Sequence, residues 1–283
     1  MFNFLLPLLL TFNPVNIDPI EMKVMTFNIR NGTLDNGPNS WANRNKIVFN
    51  MLGKYDCDFV GLQEVLGFQL EEILEALPQY EMISRTRDIS PYEGESCPIL
   101  FNKEKWELVE SSHFWLSEDP ETPGSKSWGA VLPRICTMGK FRNVTGGQVV
   151  HIYNTHLDHI STRAREGSSG VIIRHINKNR AQKNLVIMGD FNSSEFDMPI
   201  NYLVQNEILN VQDTYRQKHK RISVEDATYY GWGEHNPDIG ARVDYILSSR
   251  SLRVLSCNVV DFNIENQYPS DHSPVIAVLE IPR

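Results

Sequence analysis

The chain has 283 residues, of which 41% are hydrophobic and 22% are charged, and its formal net charge is -8. This length fits one large α/β domain or two small ones, with enough apolar residues for a core that needs no disulfide. The acidic balance excludes loose binding to duplex nucleic acid, which requires many Lys and Arg contacts to phosphate. It does not exclude a nuclease that holds a metal ion through carboxylates.

The first residues form an apolar run, FNFLLPLLLTF over residues 2–12, which is too short to span a bilayer. The run resembles the apolar part of a secretory signal peptide, although no Lys or Arg precedes it and Pro7 interrupts it. A signal peptide would make the protein secreted or periplasmic, whereas a simple apolar extension would leave it cytoplasmic. Both alternatives stay open for residues 1–22, and we assign residues 23–283 to a single domain.

The opening part of this domain alternates strands and helices. Runs rich in β-branched and aromatic residues predict strands, and apolar residues at helical spacing predict helices. The predicted strands cover residues 23–30 and 59–65, and the predicted helices cover residues 41–54 and 70–77. Asn28 and Glu64 lie near the ends of the two strands. This β-α-β-α order is typical of α/β proteins.

The middle of the chain predicts short strands separated by turn signals, which favours an antiparallel sheet. These strands cover residues 96–102, 106–114, 135–142 and 148–154. A polar loop at residues 116–132 interrupts them, and a loop of this length is usually functional or disordered. The four cysteines form no CxxC pair, so we expect buried free thiols rather than a zinc ribbon.

The last part of the chain returns to alternating elements. Residues 161–178 predict a helix that Gly167 and Gly170 weaken, and the apolar residues 185–188 predict a buried strand just before Gly189. Further predicted elements are a helix over residues 198–205 and strands over residues 241–247, 253–262 and 275–281.

Polar side chains recur where the predicted strands end. They are Asn28, Glu64, His156, Asp158, Asp190, Asn192, Asp244, Asp271 and His272. Oxygen and imidazole groups without a cysteine favour Mg²⁺ or Mn²⁺ over zinc, and Mg²⁺ keeps part of its shell for phosphate oxygens. The set therefore predicts a phosphoryl substrate. Taken singly, these residues also have structural explanations, such as a turn at Asp190 or an ion pair between Asp244 and Arg242.

The motifs that carry these residues follow one another in a fixed order. They are TFNIR, GLQEV, NTHLDH, GDFN, RVDYIL and SDHSP. Together they resemble the endonuclease/exonuclease/phosphatase superfamily from residue 23 to the C-terminus. The resemblance implies an α/β fold, a four-layer α-β-β-α sandwich in which two packed mixed β-sheets are flanked by helices.

The same resemblance implies roles for individual residues. It assigns His156, Asp190, Asn192, Asp244 and His272 to catalysis, Asn28, Glu64 and Asp271 to the metal, and Asp158, Arg134 and Glu95 to substrate contacts. Asp190 would orient or deprotonate the attacking water, and His272, paired with Asp244, would bind the scissile phosphate or stabilise its transition state.

The sequence thus favours a Mg²⁺-dependent phosphodiesterase that is monomeric, has no membrane span and acts on nucleic acid or a nucleotide. A phosphomonoesterase or a lipid phosphodiesterase of the sphingomyelinase kind is the alternative on the same scaffold. The signatures of inositol phosphatases are absent. A catalytically silent binding protein is disfavoured, because no expected metal or acid/base position has been replaced.

Overall fold

The computed structural model describes residues 19–232 and 240–282. The apolar run at residues 2–12, on which the signal-peptide question depends, lies outside the described residues. Within the described ranges, no helix has the length and apolar character needed to cross a membrane.

Twelve strands and five α-helices make up the described part of the chain, together with short 3-10 turns. In chain order they are β1 (Ile20–Asn28), α1 (Trp41–Tyr55), β2 (Phe59–Gln63), α2 (Gly67–Ala76), β3 (Tyr80–Ile83), β4 (Ile99–Asn102), β5 (Trp106–Trp115), β6 (Ile135–Asn143), β7 (Val149–His156), α3 (Thr162–Lys178), β8 (Leu185–Asp190), α4 (Met198–Val204), β9 (Val211–Asp213), α5 (Thr214–Lys218), β10 (Asp244–Ser249), β11 (Arg253–Val259) and β12 (Val275–Ile281).

The strands form two mixed sheets of six strands each. The first has the order β11-β12-β1-β2-β4-β3, and the second has the order β5-β6-β7-β8-β10-β9. Parallel pairing joins β1 to β2 in the first sheet and β7 to β8 in the second. In the second sheet His156 pairs with Asp190 and Asp190 pairs with Asp244, so three of the predicted site residues lie side by side across neighbouring strands.

Three apolar layers hold the sheets and helices together. Phe59, Phe141 and Met188 belong to the layer between the two sheets. Helix α3 packs Val171 and Ile172 on the outer face of one sheet, and α1 packs Val48 and Met51 on that of the other. Each layer is stabilised because it removes apolar surface from water. Two packed sheets with helices on both outer faces are the predicted four-layer sandwich.

A buried polar bridge crosses the inter-sheet layer just below the strand ends. Gln63 Nε2 donates to Asn154 Oδ1 over 2.7 Å. Asn154 Nδ2 donates to the Leu62 and Pro98 carbonyls, each over 2.8 Å. Gln63 directly precedes Glu64, and Asn154 is two residues before His156, so the bridge fixes the register between the two halves of the site.

Some elements differ from the sequence prediction. Strands β3 and β9 and helix α5 were not predicted, because three to five residues are too few to show a period. Helix α3 continues through Gly167, where a Cβ would lie 2.3 Å from the Trp128 ring, so the glycine makes room for the loop. The four cysteines are buried free thiols, as predicted.

Candidate active site

The ends of the central strands of both sheets open into one cleft with a volume of about 340 Å³. Among the described residues, its walls comprise Arg30, Leu34, Glu64, Arg87, Glu95, Leu132, Arg134, His156, His159, Asp190, Asn192, Tyr229, Val243, Asp271 and His272. The structure therefore brings most of the predicted site residues together, although the first and the last of them, Glu64 and His272, are 208 positions apart in the chain.

Asp190 occupies the floor of this cleft and is almost fully buried. Its Oδ1 accepts the Asn192 main-chain N–H over 2.9 Å, and its Oδ2 accepts Asn28 Nδ2 over 3.1 Å. Burial and the negative charge of Asp244 raise the pKa of Asp190 to about 7, against the opposing charge of His272. A carboxylate with this pKa suits a general base at neutral pH.

The close approach of strands β7 and β8 depends on Gly189. Its φ is 150°, and a Cβ there would lie 2.0 Å from the Thr155 carbonyl oxygen. Only glycine lets the backbone pass so near its neighbour, and this passage sets the position of Asp190.

His272 lies beside Asp190 and Asp244 at the floor of the cleft. Its Nδ1 lies 2.9 Å from Asp244 Oδ2, and its Nε2 lies 3.8 Å from Asp190 Oδ2. Burial would lower the pKa of His272, but the charge and hydrogen bond of Asp244, with the charge of Asp190, raise it to about 10. The imidazole is therefore positively charged at neutral pH.

His156 is the second imidazole of the cleft and has the opposite character. Burial, together with the positive charge of Arg134, lowers the pKa of His156 well below its usual range. The neutral ring accepts Asn192 Nδ2 over 3.0 Å, and the same Nδ2 donates to the Leu157 carbonyl over 3.1 Å. Both contacts hold the amide nitrogen of Asn192, which leaves its Oδ1 free for a ligand.

Glu64 and Asp271 bring two carboxylates to one side of the cleft. Glu64 has a φ of 60°, and its side chain accepts the Asn31 main-chain N–H over 3.0 Å. That hydrogen bond, the charge of His272 and the Asn28 amide lower the pKa of Glu64 although burial opposes them. Asp271 lies 3.6 Å from Arg30, and burial raises its pKa, with a further contribution from the charge of Glu64.

Asn28, which was predicted to ligate the metal, contacts two carboxylates in this structure. Its Oδ1 accepts the Arg30 main-chain N–H over 3.0 Å, and its Nδ2 donates to Glu64 Oε1 over 3.2 Å and to Asp190 Oδ2 over 3.1 Å. Asn28 therefore orients two carboxylates of the cleft, and its role at a metal stays a prediction.

Asp158 also differs from its predicted role as a substrate contact. The side chain is fully buried and does not line the cleft. Its oxygens accept the main-chain N–H groups of Val131, Ile160 and Ser161 over 2.7–3.1 Å. It therefore anchors the long loop to the start of α3, because a buried carboxylate is satisfied most readily by several backbone donors.

The other two predicted substrate contacts do line the cleft. Glu95 pairs with Arg87 Nη1 over 2.6 Å and accepts Asn31 Nδ2 over 2.9 Å. Arg134 Nη2 lies 2.9 Å from His159 Nδ1. The donors and acceptors of this wall line the same cleft as Asp190 and His272.

Sequence reasoning missed Arg30, Arg87 and Tyr229, which also line the cleft. Arg30 belongs to the TFNIR motif and could have been found there. Arg87 and Tyr229 come from irregular segments, and nothing in the local pattern marks them. The Tyr229 ring lies 4.8 Å from the His272 ring, a contact that only the fold creates.

Comparison with known proteins decides the family. The model of the Endonuclease/Exonuclease/phosphatase family matches residues 25–272. The chain belongs to this family. The predicted family and the predicted four-layer fold are thereby confirmed, and the chain is a phosphoester hydrolase of a metal-dependent family.

Solved structures of the family superpose on most of the chain. A Bacteroides vulgatus endonuclease/exonuclease/phosphatase is 31% identical with a TM-score of 0.87, covering 93% of this chain and 99% of that chain. A Bacteroides thetaiotaomicron mannosyl-6-phosphatase is 30% identical with a TM-score of 0.80, covering 91% and 99%. TDP2 of D. rerio, solved with a single-stranded DNA product, is 17% identical with a TM-score of 0.69, covering 92% and 98%, and shares the fold alone. Curated proteins give no match.

The residues of this family member fit a divalent cation. Glu64 and Asp271 are two neighbouring carboxylates at the cleft, and a bound cation would relieve the repulsion between their negative charges. Asp190, Asp244 and His272 also have donor atoms within 4.8 Å of one another. In that second group, however, the imidazole is charged and already bonded to Asp244, which favours a role in neutralising negative charge over a role as a metal ligand.

Proposed function

We propose that this enzyme releases phosphate from a small, hydroxyl-rich phosphate monoester such as a sugar phosphate, with Mg²⁺ or Mn²⁺ as its cofactor. The observation that carries the proposal is the wall of Arg87, Glu95 and Arg134 next to the catalytic floor. A hydroxyl group both donates and accepts a hydrogen bond, and this wall presents the Glu95 carboxylate beside the Arg87 guanidinium, with Arg134 in the same lining.

The floor supports hydrolysis by in-line attack of water. Asp190 accepts the proton of the water while the water oxygen forms a bond to phosphorus, and Asn192 Oδ1 aims the same water. The ester P–O bond breaks as the new bond forms, and the leaving oxygen takes a proton from solvent. The charged His272, held by Asp244, neutralises negative charge on the phosphoryl oxygens as the transition state forms.

The cation would be held by Glu64 and Asp271, whose oxygen atoms are the hard ligands that Mg²⁺ and Mn²⁺ prefer. When bound, such a cation neutralises phosphate charge and activates water. Asn28 Nδ2 bridges the carboxylates of Glu64 and Asp190 by donating to both of them, which offsets their mutual repulsion. Arg30 limits the repulsion at Asp271 from the other side.

The substrate class follows from the size of the cleft. A volume of about 340 Å³ suits a small molecule. The related mannosyl-6-phosphatase, at 30% identity, supports a sugar phosphate over the nucleic-acid substrate that the sequence alone favoured. Because one chain supplies every wall, we also propose that a monomer is sufficient.

A substrate panel tests the proposal. Purified protein with Mg²⁺ or Mn²⁺ is assayed for phosphate release from mannose 6-phosphate, glucose 6-phosphate and inositol phosphates, and for cleavage of DNA, RNA and sphingomyelin. The Asp190→Asn variant serves as the control for contaminating activity. We expect the highest kcat/KM for a sugar phosphate. A higher kcat/KM for any diester would overturn the proposal in favour of the phosphodiesterase alternative.

A further inference from the structure

Arg44 of helix α1 is a buried cation with an unusual set of partners. It is fully buried, and all its hydrogen bonds within the described residues go to main-chain carbonyls. Nε donates to Asn39 over 3.0 Å, Nη1 donates to Ile29 over 2.5 Å and to Pro269 over 2.9 Å, and Nη2 donates to Arg30 over 2.9 Å. No carboxylate of the described chain forms an ion pair with it.

These carbonyls belong to the two loops that carry one side of the active site. Ile29 and Arg30 lead from Asn28 to Asn31, whose N–H binds Glu64. On the other loop, Pro269 is followed directly by the residues that end in Asp271 and His272. The guanidinium therefore joins two segments that are about 240 residues apart in sequence.

Only the planar fork of arginine can make this set of bonds. Its nitrogens point in fixed directions, whereas a lysine ammonium is a single point and cannot reach carbonyls on both loops at once. The rings of Trp41 and Trp232, 5.1 and 5.5 Å from the guanidinium carbon, hold the group in place. A second bond between the same loops, from Ser270 Oγ to the Asn28 carbonyl over 2.7 Å, shows how closely they are coupled.

We propose that Arg44 is a positioning residue that sets the placement of Glu64 relative to Asp271 and His272. It touches neither substrate nor reacting atoms and acts through the two loops. The inference rests on the proposed function in one respect, namely that Glu64 and Asp271 hold the cation. Residues that support metal ligands in this indirect way typically contribute about 10- to 100-fold to metal affinity or activity.

The test compares Arg44→Lys and Arg44→Gln with Tyr80→Phe. Tyr80 donates to the Cys57 carbonyl over 2.7 Å at the far end of β2, so its loss removes a buried hydrogen bond without touching either loop. Four measurements are made on each protein. They are the melting temperature, amide hydrogen exchange in residues 29–31 and 269–272, the Mn²⁺ dissociation constant by titration calorimetry, and the kinetics (kcat and KM) on p-nitrophenyl phosphate.

We expect both Arg44 variants to exchange faster in the two loops, to bind Mn²⁺ about 10-fold more weakly and to lose kcat more than KM. Arg44→Lys should retain more of each property than Arg44→Gln. Tyr80→Phe should lower only the melting temperature. If Arg44→Lys keeps wild-type exchange in both loops, Arg44 does not position them. If Arg44→Lys does not fold, the role of Arg44 is structural. Either result overturns the inference. A wild-type protein that does not bind Mn²⁺ refutes the metal assignment instead, and the exchange measurement still decides the role of Arg44.

Discussion

The 2.9 Å contact between His272 Nδ1 and Asp244 Oδ2 joins the two sheets at the floor of the cleft. Asp244 is the first residue of β10 in one sheet, and His272 precedes β12 in the other. The pair therefore keeps the imidazole charged and also fixes one sheet against the other.

Replacement of Asp244 should change the pH dependence of activity. In Asp244→Asn the pKa of His272, now about 10, falls towards its ordinary value because the largest favourable charge is lost. The imidazolium is then lost as the pH rises through neutrality, whereas in the wild type it persists to alkaline pH. We expect kcat/KM of the variant to decline between pH 6 and 9 relative to the wild type, about 10-fold per pH unit once the group titrates. Parallel profiles of the two proteins would contradict this assignment.

Replacement of Asp190 should lower kcat without lowering the melting temperature. The folded-state pKa of about 7 exceeds the ordinary value, so ionisation costs folding free energy as the pH rises from 4 to 7, and the full cost remains above that range. Asp190→Asn removes this cost and the general base together. We expect kcat to fall about 10²- to 10⁴-fold, while the melting temperature at pH 8 in EDTA equals or exceeds that of the wild type. A variant that is both active and less stable would refute the proposed role.

Metal removal should abolish activity. EDTA should leave no phosphate release, and Mg²⁺ or Mn²⁺ should restore it, because the carboxylates of Glu64 and Asp271 lie ready to bind a cation. Glu64→Gln should raise the Mg²⁺ concentration for half-maximal activity about 10-fold or more. Glu72→Gln is the matched control, since Glu72 accepts hydrogen bonds from Trp41 and Asn45 outside the cleft lining. Full activity in EDTA would rule out the metal site.

Replacement of Glu95 should affect substrate selection more than chemistry. Glu95→Gln replaces the ion pair with Arg87 by a hydrogen bond to a neutral amide and removes a charged acceptor for hydroxyl groups. We expect KM for the best sugar phosphate to rise about 10-fold, the loss of one hydrogen bond to a charged group, while kinetics on p-nitrophenyl phosphate stay unchanged. The exposed Glu93 provides the control Glu93→Gln. Equal losses on both substrates would show that Glu95 serves the catalytic floor rather than specificity.

His175 should make stability depend on pH far from the cleft. Its ring stacks on Phe114 with centroids 4.0 Å apart, and burial lowers its pKa to about 4, with a smaller effect from the charge of Lys178. The unfolded chain therefore takes up the proton first, so the free energy of unfolding falls as the pH drops from about 6.5 to 4. In His175→Phe, urea unfolding at pH 7 and pH 5 should show a smaller difference than in the wild type. An unchanged difference would contradict the prediction.

Much of the site was visible in sequence because strand ends are local events. The apolar residues before Gly189 mark a buried strand, and Asp190 must then stand where that strand meets a loop. The same reasoning placed Glu64 and Asn28. Short elements such as β3 and β9 escaped, since they are stabilised by pairing with β4 and β10 rather than by their own pattern.

Other features arise only when distant segments meet. The sequence could not tell that Asp158 turns away to hold the Val131 and Ser161 main chain, or that Asn28 points its nitrogen at two carboxylates. It could not locate Arg87, whose partner Glu95 comes from across a loop. These side-chain contacts depend on which hydrogen-bond donors and acceptors still lack a partner once the strands, helices and loops have packed together.

The sequence by itself determined the family, because six motifs occur in the order that the family shows, and this resemblance implied the layered fold. It also determined which polar residues stand at the strand ends, because hydrophobic periodicity and turn residues act over a few neighbouring positions. Only the tertiary structure decided which of these residues ionise. Burial and the charges of residues far apart in the chain raise the pKa values of Asp190 and His272 and lower that of His156. Those shifts depend on distance in space and on exclusion of water, neither of which is a property of local sequence.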